Sequence, residues 1–505
     1  MMAHVLHLGH QVWNNYHQTA ACNLKSRIEL INGDQPNGRA HLKAVAKTVL
    51  ALLREARQYQ IPVRPIGAGW SPSPINVVED GWLVETLRLN RTFKIGASNL
   101  HADCDIGAEA LLLVQAGATV DEVYESAEEL GRSLRTGGAS NGQSFAGACA
   151  TGTHGSVWQA GGIQDHVRAV QLVTPERILW IEPTRACLSD DFIAQTGSEI
   201  IRDDRIFAAA LLHVGAMGFV TALLIETDPI YMVQNIQKAA KIRREHIDWL
   251  CRGEFRKFSC AFGLNEEPYF QQPILNPCDP FDKKALLRFL YKRPYDPSIP
   301  SPPPGEMGAG YDALTLLGKA MAESDFFQAE ILQLAMEQAY PDNRDVDDPP
   351  AIATWGCTTE EHAPIASLFN GSVTIERNKL SEVFDLIIDS FRRGGGGTVV
   401  TLRFVRKANG LLAPARWPDN VVIDFDGPNV ESSHQGYKKV VEALDDAGIA
   451  FTRHWGKTNN LNEWRVQQDY GKDFDDWKWA QAQVMPDAAD RQVFANDELV
   501  KLGLI

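Results

Sequence analysis

Apolar residues recur at helical spacing through Leu42, Val45, Val49, Leu52, Leu53 and Ala56, which predicts an amphipathic helix. The period then shortens to a strand over 61–66, another at Trp82-Leu83-Val84, and a third within LLLVQAG at 111–117. Thr119 with Glu122 three residues on reads as a capping box, and Gly131 stops the helix it opens. From 134 to 156 the chain runs LRTGGASNGQSFAGACATGTHGS, poor in charge and without a helical period. HVRAVQLVTPERILWIEP predicts a hairpin around Pro175-Glu176-Arg177, and GFVTALLIETDP predicts one more strand. Near Tyr231 the character changes to amphipathic helical patterns, interrupted by a Pro-rich stretch at 296–310 and an acidic one at 342–350 that read as exposed loops. The run RRGGGG at 392–397 lacks the Gly-Lys-Ser/Thr ending of a phosphate loop and reads as a surface turn before the strand TVVTLRFV.

A chain of 505 residues exceeds what one core usually supports, so two or three domains are expected. With 44% hydrophobic and 22% charged residues the composition is that of an ordinary globular protein. A net charge of -15 argues against nucleic acid or an anionic membrane as partner and favours a small molecule. No run of about 18 apolar residues occurs, and MMAHVLHLGHQVW lacks the pattern of a signal peptide, so the cytoplasm is the expected location. The eight cysteines are scattered without a C-x-x-C pair, which signals neither zinc nor a disulfide framework. His4, His7 and His10 have the spacing of one helical face, yet so near the terminus a frayed end is the expectation, and no metal is predicted.

Two segments carry candidate chemistry. In IPVRPIGAGWSPSP a Gly-x-Gly follows a strand, as where a backbone approaches a pyrophosphate, with an ordinary turn as the alternative. A nicotinamide-type fingerprint is excluded, because the third glycine is missing and Pro72 and Pro74 remove two amide donors. The Gly- and Ala-rich stretch 137–152, with Ser140, Asn141, Gln143, Ser144, Thr151 and nearby Thr153, offers amides to an anion without Lys or Arg; a tightly packed turn is its other reading.

The order of these segments resembles the vanillyl-alcohol-oxidase-type FAD-binding domain, and within that superfamily the aldonolactone and alditol oxidase branch. The resemblance is carried by VWNNY at 12–16, PVRPIGAGWSPSP, LLLVQAGAT, GGASNGQSFAGACATGTHGS, DDRIFAAALLHVGAMGFVTALLIET and RHWGK at 453–457. It implies an α+β fold: a two-part FAD-binding domain and a substrate or cap domain with a broad antiparallel sheet flanked by helices. The implied divisions are 1–230 for the FAD-binding domain, 231–440 for the substrate domain, and 441–505 for a tail returning to the first domain and the active site. By similarity Pro65, Ile66, Gly67, Ala68, Gly69, Trp70 and Ser71 would wrap the pyrophosphate. Ser144, Gly147, Thr151, Gly152, Thr153 and His154 would line the flavin and ribityl chain, His154 being alternatively a buried histidine bonded to backbone. Val220 would hold the adenine end, and Gly138, with Ala139 beside it, would lie at the flavin C4a-C5 edge.

Two departures from the family pattern matter. Where most members place a histidine that carries FAD covalently, this chain has Trp70, whose indole nitrogen is not nucleophilic enough; non-covalent FAD is expected, with Trp70 near the dimethylbenzene edge. The implied reaction is hydride transfer from a CH-OH group to flavin N5, which needs a proton acceptor and a cation near N1. The family's Glu-x-Arg strand appears here as TLRF: Arg403 matches the arginine, Lys457 in HWGK matches the family lysine, and Thr401 stands where the glutamate would be. A threonine hydroxyl is no base at neutral pH, so His454, and after it a neutral Lys457, are the candidate proton acceptors. By the same resemblance Gly138 would leave room for dioxygen, which favours an oxidase over a dehydrogenase; its other reading, paired with Gly137, is a backbone angle forbidden to other residues. Oxidation of an amine or an activated C-H bond, and FAD binding without catalysis, are the alternatives. Phe255, Phe258, Phe262, Tyr269, Phe270, Phe281, Phe289 and Tyr291 either pack a core or make the pocket suit a larger, less polar substrate.

Overall fold

The computed structural model describes residues 3–299, 333, 351–355, 367–392 and 397–505. Most of the Pro-rich stretch, the acidic stretch and the centre of the glycine run lie outside the described residues.

Asn37 opens the first helix, Gly38–Gln58, by accepting a hydrogen bond from the Ala40 amide. Its apolar stripe, including Val45, Val49, Leu52 and Leu53, joins one buried cluster with Ile28, Leu30, Val63 and Val84 on one side and Leu172, Val173, Leu179 and Phe219 on the other. The first group belongs to a four-stranded sheet in which Ser26–Ile31, Trp82–Glu85 and Val63–Ile66 run parallel and His4–His7 adds an antiparallel edge. The second belongs to a six-stranded sheet that contains the predicted hairpin Val167–Val173 and Ile178–Glu182 beside Phe219–Glu226 and Leu111–Gln115. The helix is therefore the filling between two sheets, and its 3.6-residue period is the imprint of that burial.

Some expectations differ from the structure. The terminal histidines are neither helical nor frayed, because His4–His7 pairs with Ser26–Ile31. The stretch 134–156 contains a helix, Phe145–Thr151, closed by Gly152 at φ +79°. Seven residues are too short to establish a period, so only the cap could have announced it. The capping box of Thr119 and Glu122 is present as read.

From Met232 the chain builds an antiparallel sheet of eight described strands. Their order is Ala351–Thr354, Met232–Lys241, Lys284–Arg293, Phe270–Leu275, Val399–Arg406, Asp419–Pro428, Leu368–Glu376 and Phe451–Arg453. The two-residue alternation sorts its centre into two faces. Leu402, Phe404, Ile423, Phe425, Val373 and Ile375 pack under the helices Arg244–Arg252, Leu380–Arg392 and Glu431–Asp446. Each such phenylalanine contributes roughly 1.5–3 kcal/mol on burial. The opposite face carries Asn370, Ser372, Thr374, Thr401, Arg403, Asp424 and Asp426, all buried.

The C-terminal segment joins the two parts. After Phe451–Arg453 closes the edge of the large sheet, the helix Lys472–Val484 returns to the first part, where Trp477 Nε1 donates to Leu212 O and Gln481 Nε2 to Ala216 O. The Val63 amide donates to Val493 O, so the strand leading into the glycine turn is held by the chain's last residues.

Candidate active site

Between the glycine turn, the 138–154 segment and the polar face of the large sheet runs one cleft of about 1580 Å³, counted out to its mouth. Gly69 takes φ +67°, the left-handed conformation that this turn demands, and Gly67 lies so close to Ser144 that a Cβ there would meet its Oγ at 1.9 Å. The two candidate segments thus face each other as the walls of one groove. The turn is fixed from outside as well: Asn15 Nδ2 donates to Ser71 O at 2.8 Å, and Ser71 Oγ donates to Gly456 O at 2.7 Å. The latter bond locks the turn to the HWGK segment, almost 400 residues further along the chain.

Pro65, Ile66, Gly67, Ala68, Gly69, Trp70, Ser71, Gly138, Ala139, Ser144, Gly147, Thr151, Thr153, His154 and Val220 all line the cleft, as do Arg403, His454 and Lys457. Two residues named from the sequence do not line it. Gly152 ends the short helix against Leu212 and Pro414, and Thr401 is fully buried with its hydroxyl 3.4 Å from Asp426 Oδ2. Trp70 stacks on Tyr16, ring centroids 4.3 Å apart, and meets the edge of His17. The eight central aromatics do not line the cleft; Phe255, Phe258, Phe289 and Tyr291 belong to the core under the helices. The feature that would have suited a less polar substrate is core packing instead.

Several cleft residues escaped the sequence reading. Asp424 lies at the centre of the polar face: its Oδ2 accepts from Arg403 Nε at 2.8 Å and its Oδ1 from Lys457 Nζ at 2.7 Å. Burial alone would raise its carboxyl, but the two adjacent cations outweigh that and hold it well below the usual range. Asp426 and Asn370 line the same end. The pattern D-x-D inside an apolar strand, VVIDFDGP, was the available signal.

The histidines here are constrained. His454 accepts the Gly456 amide at Nδ1, so that nitrogen is committed to backbone; burial, then Lys457 and His154, hold its imidazole well below the usual range. His154 donates from Nδ1 to Gly155 O, with its ring 5.7 Å from that of His454, and burial lowers it to about 4.

At the opposite end stands Arg64, one residue before the turn. Its guanidinium is fully buried, donates to the carbonyls of Gly215, Val214 and Phe494, and pairs with no carboxylate among the described residues; its Nε has no partner. A buried cation satisfied only by carbonyls, beside a groove of amides, fits a long anionic cofactor such as FAD.

The family model of the FAD binding domain matches residues 44–178. The chain is 26% identical over 193 residues to the D-arabinono-1,4-lactone oxidase of Debaryomyces hansenii, a match covering 38% of this chain and 32% of that protein. It is 23% identical over 259 residues to the mitochondrial L-galactono-1,4-lactone dehydrogenase of Brassica oleracea, covering 51% and 36%. These matches span about a third of the relatives' length. Among solved structures, a solvent-stable cholesterol oxidase superposes with a TM-score of 0.73 at 14% identity over 99% of this chain and 98% of its own. The 6-hydroxy-D-nicotine oxidase of Arthrobacter nicotinovorans gives 0.60 at 12% identity, over 99% and 98%. The family model therefore shows an FAD binding domain within residues 44–178, and the chain as a whole shares its fold with the cholesterol oxidase and 6-hydroxy-D-nicotine oxidase structures.

Proposed function

We propose that this protein binds FAD non-covalently and oxidises a CH-OH group of a small molecule, with dioxygen as electron acceptor. The observation that carries the reading is the continuity of the cleft, which runs from the amide-lined turn at 65–71 to the cation pair Arg403 and Lys457. When bound, FAD supplies the hydride acceptor.

The chain's own residues divide the remaining work. Residues 1–230 with the tail 441–505 hold the cofactor, and 231–440 hold the substrate. The turn and the 144–154 segment take the pyrophosphate and ribityl chain, Arg64 adds a counter-charge, and Val220 borders the adenine end. Arg403 and Lys457, both fixed by Asp424, set positive charge where negative charge develops during oxidation. Trp70, braced by Tyr16, flanks the dimethylbenzene edge without bonding to it. Gly138 keeps open the approach for dioxygen. No described helix is long and apolar enough to cross a membrane, and we place the activity in the cytoplasm.

Anaerobic mixing of the holoprotein with polyols, sugar lactones, sterols and amines tests this. Flavin bleaching by hydroxyl-bearing compounds, followed by peroxide formation in air, is the expected outcome. Bleaching by amines alone, or by none of the panel, would overturn the CH-OH reading.

A further inference from the structure

We infer that His213 donates a hydrogen bond from Nε2 to an oxygen of the FAD diphosphate, and that the turn at Val214 positions its ring; this deepens the FAD-binding reading above. The backbone at 213–216 carries the argument. His213 O accepts from the Ala216 amide at 2.7 Å, closing a tight turn whose central residues, Val214 at φ +50° and Gly215 at φ +74°, are both left-handed. Glycine takes that conformation freely, and it has a second reason here, since a Cβ at 215 would meet Arg64 Nη2 at 2.5 Å. Valine is β-branched and rarely adopts it, so surrounding contacts must hold the turn in place. They come from the C-terminal helix on either side: Trp477 Nε1 donates to Leu212 O at 3.2 Å and Gln481 Nε2 to Ala216 O at 2.7 Å.

The strained turn aims the groups around it. It presents the carbonyls of Val214 and Gly215 to the guanidinium of Arg64, and the Gly215 amide to His213 Nδ1 at 3.0 Å. A neutral imidazole that accepts at Nδ1 carries its proton at Nε2. The ring is neutral at pH 7, because burial, and after it Arg64, lower it to about 4. Nε2 is therefore a donor. No described residue accepts from it, and His213 lines the cleft although only 8% exposed.

A donor so enclosed calls for an acceptor inside the cleft. Its neighbour says which kind. Arg64 lines the same end and brings a full positive charge, but directs Nη1 and Nη2 at the carbonyls of 214, 215 and 494. Arg64 thus supplies the field and His213 the direct bond, a pairing that suits an oxygen bearing negative charge. The amide-lined turn 65–71 begins at the residue after Arg64, so the diphosphate is the part of the cofactor that meets all three.

The test dilutes holoprotein and reads the released FAD by its fluorescence, which gives Kd. His213→Asn keeps an oxygen able to accept the Gly215 amide and removes the donor; its Kd should rise roughly 10- to 100-fold, the range of a hydrogen bond to a charged group. His213→Gln, whose longer side chain returns an N–H donor towards the cleft, should bind at least about threefold more tightly than His213→Asn. At saturating FAD, at least one of the two phosphorus NMR resonances of the bound diphosphate should move in His213→Asn and return towards the parent position in His213→Gln. A His213→Asn Kd within about threefold of the parent, phosphorus resonances that both stay in place, or a His213→Gln that binds no better than His213→Asn overturns the proposal while leaving the FAD reading intact. A parent protein that holds no FAD overturns both.

Discussion

Replacing Arg64 with methionine keeps most of the side-chain volume and removes the charge. Arg64 is 2% exposed, and burial lowers its guanidinium from the usual arginine range to about 10. At 1.36 kcal/mol per unit this corresponds to a cost of about 3 kcal/mol for holding the charge in the apoprotein. Because the folded-state value lies below the unfolded one, the cost is in full force at every pH below about 10 and is relieved only as pH rises beyond that. Methionine removes that cost but strands the carbonyls of Gly215, Val214 and Phe494, at about 1–3 kcal/mol each, so the apoprotein should lose only a few kcal/mol net. FAD should lose more. A counter-charge to its pyrophosphate worth about 2–3 kcal/mol corresponds to a Kd roughly 30- to 150-fold weaker. Two assays read this: fluorescence titration of apoprotein with FAD, and melting with and without cofactor. At an FAD concentration one hundred times the parent Kd, the parent gains about 2.7 kcal/mol from binding, and a variant with a hundredfold weaker Kd only about 0.4. A Kd within threefold of the parent would refute the assignment of Arg64 to the cofactor.

Further predictions concern the same groove. Acid precipitation should release all yellow colour into the supernatant, since Trp70 offers no nucleophile; colour retained by a washed pellet would show a covalent bond. Gly138→Ala should slow reoxidation of photoreduced protein in air without slowing its reduction. Gly138 is not in a left-handed conformation, and an added Cβ would meet Thr153 Cγ2 at 2.9 Å, so the effect is steric; an unchanged reoxidation rate would disprove it. Arg403→Met should slow flavin reduction by about 10²-fold or more, and an unchanged rate would leave Arg403 a structural partner of Asp424 only. Thermal stability of the apoprotein should fall between pH 7 and 5. His17, His154 and His213 are lowered to about 4 and His166 to about 3 by burial, so the unfolded chain takes up protons first as pH drops below 6.5. Asp165 and Asp469, raised to about 6 by burial, act in the opposite direction between 6 and 3.8. His41, His246 and His454 are lowered too, and Glu128 and Asp490 raised, so the lowered histidines outnumber the raised acids, leaving a net loss on the order of a few kcal/mol, and a flat melting curve over this range would contradict it.

The sequence by itself determined what is written in short-range order. The helix Gly38–Gln58 was legible because its apolar stripe repeats over many turns, and the start of Val120–Glu128 because a capping box needs only residues 119 and 122. The walls of the cleft were legible for a similar reason, since a close approach of backbone demands small residues in one continuous segment. The short helix Phe145–Thr151 fell below the length at which a period can be counted. What only the tertiary structure decided depends on register between distant strands. Nothing near TVVTLRFV announces that Asp424 and Asp426, more than twenty residues from Thr401, will stand opposite Thr401 and Val399; a shift of one residue in that pairing would turn both carboxylates to the apolar face. The same holds for Arg64, whose carbonyl partners come from 214, 215 and 494, and for the aromatics of the central region, which alternation alone could not assign to core or cleft. Local pattern specifies which elements form and which segment can line a cleft, whereas the cluster of Arg403, Asp424 and Lys457 is assembled by pairing across the chain.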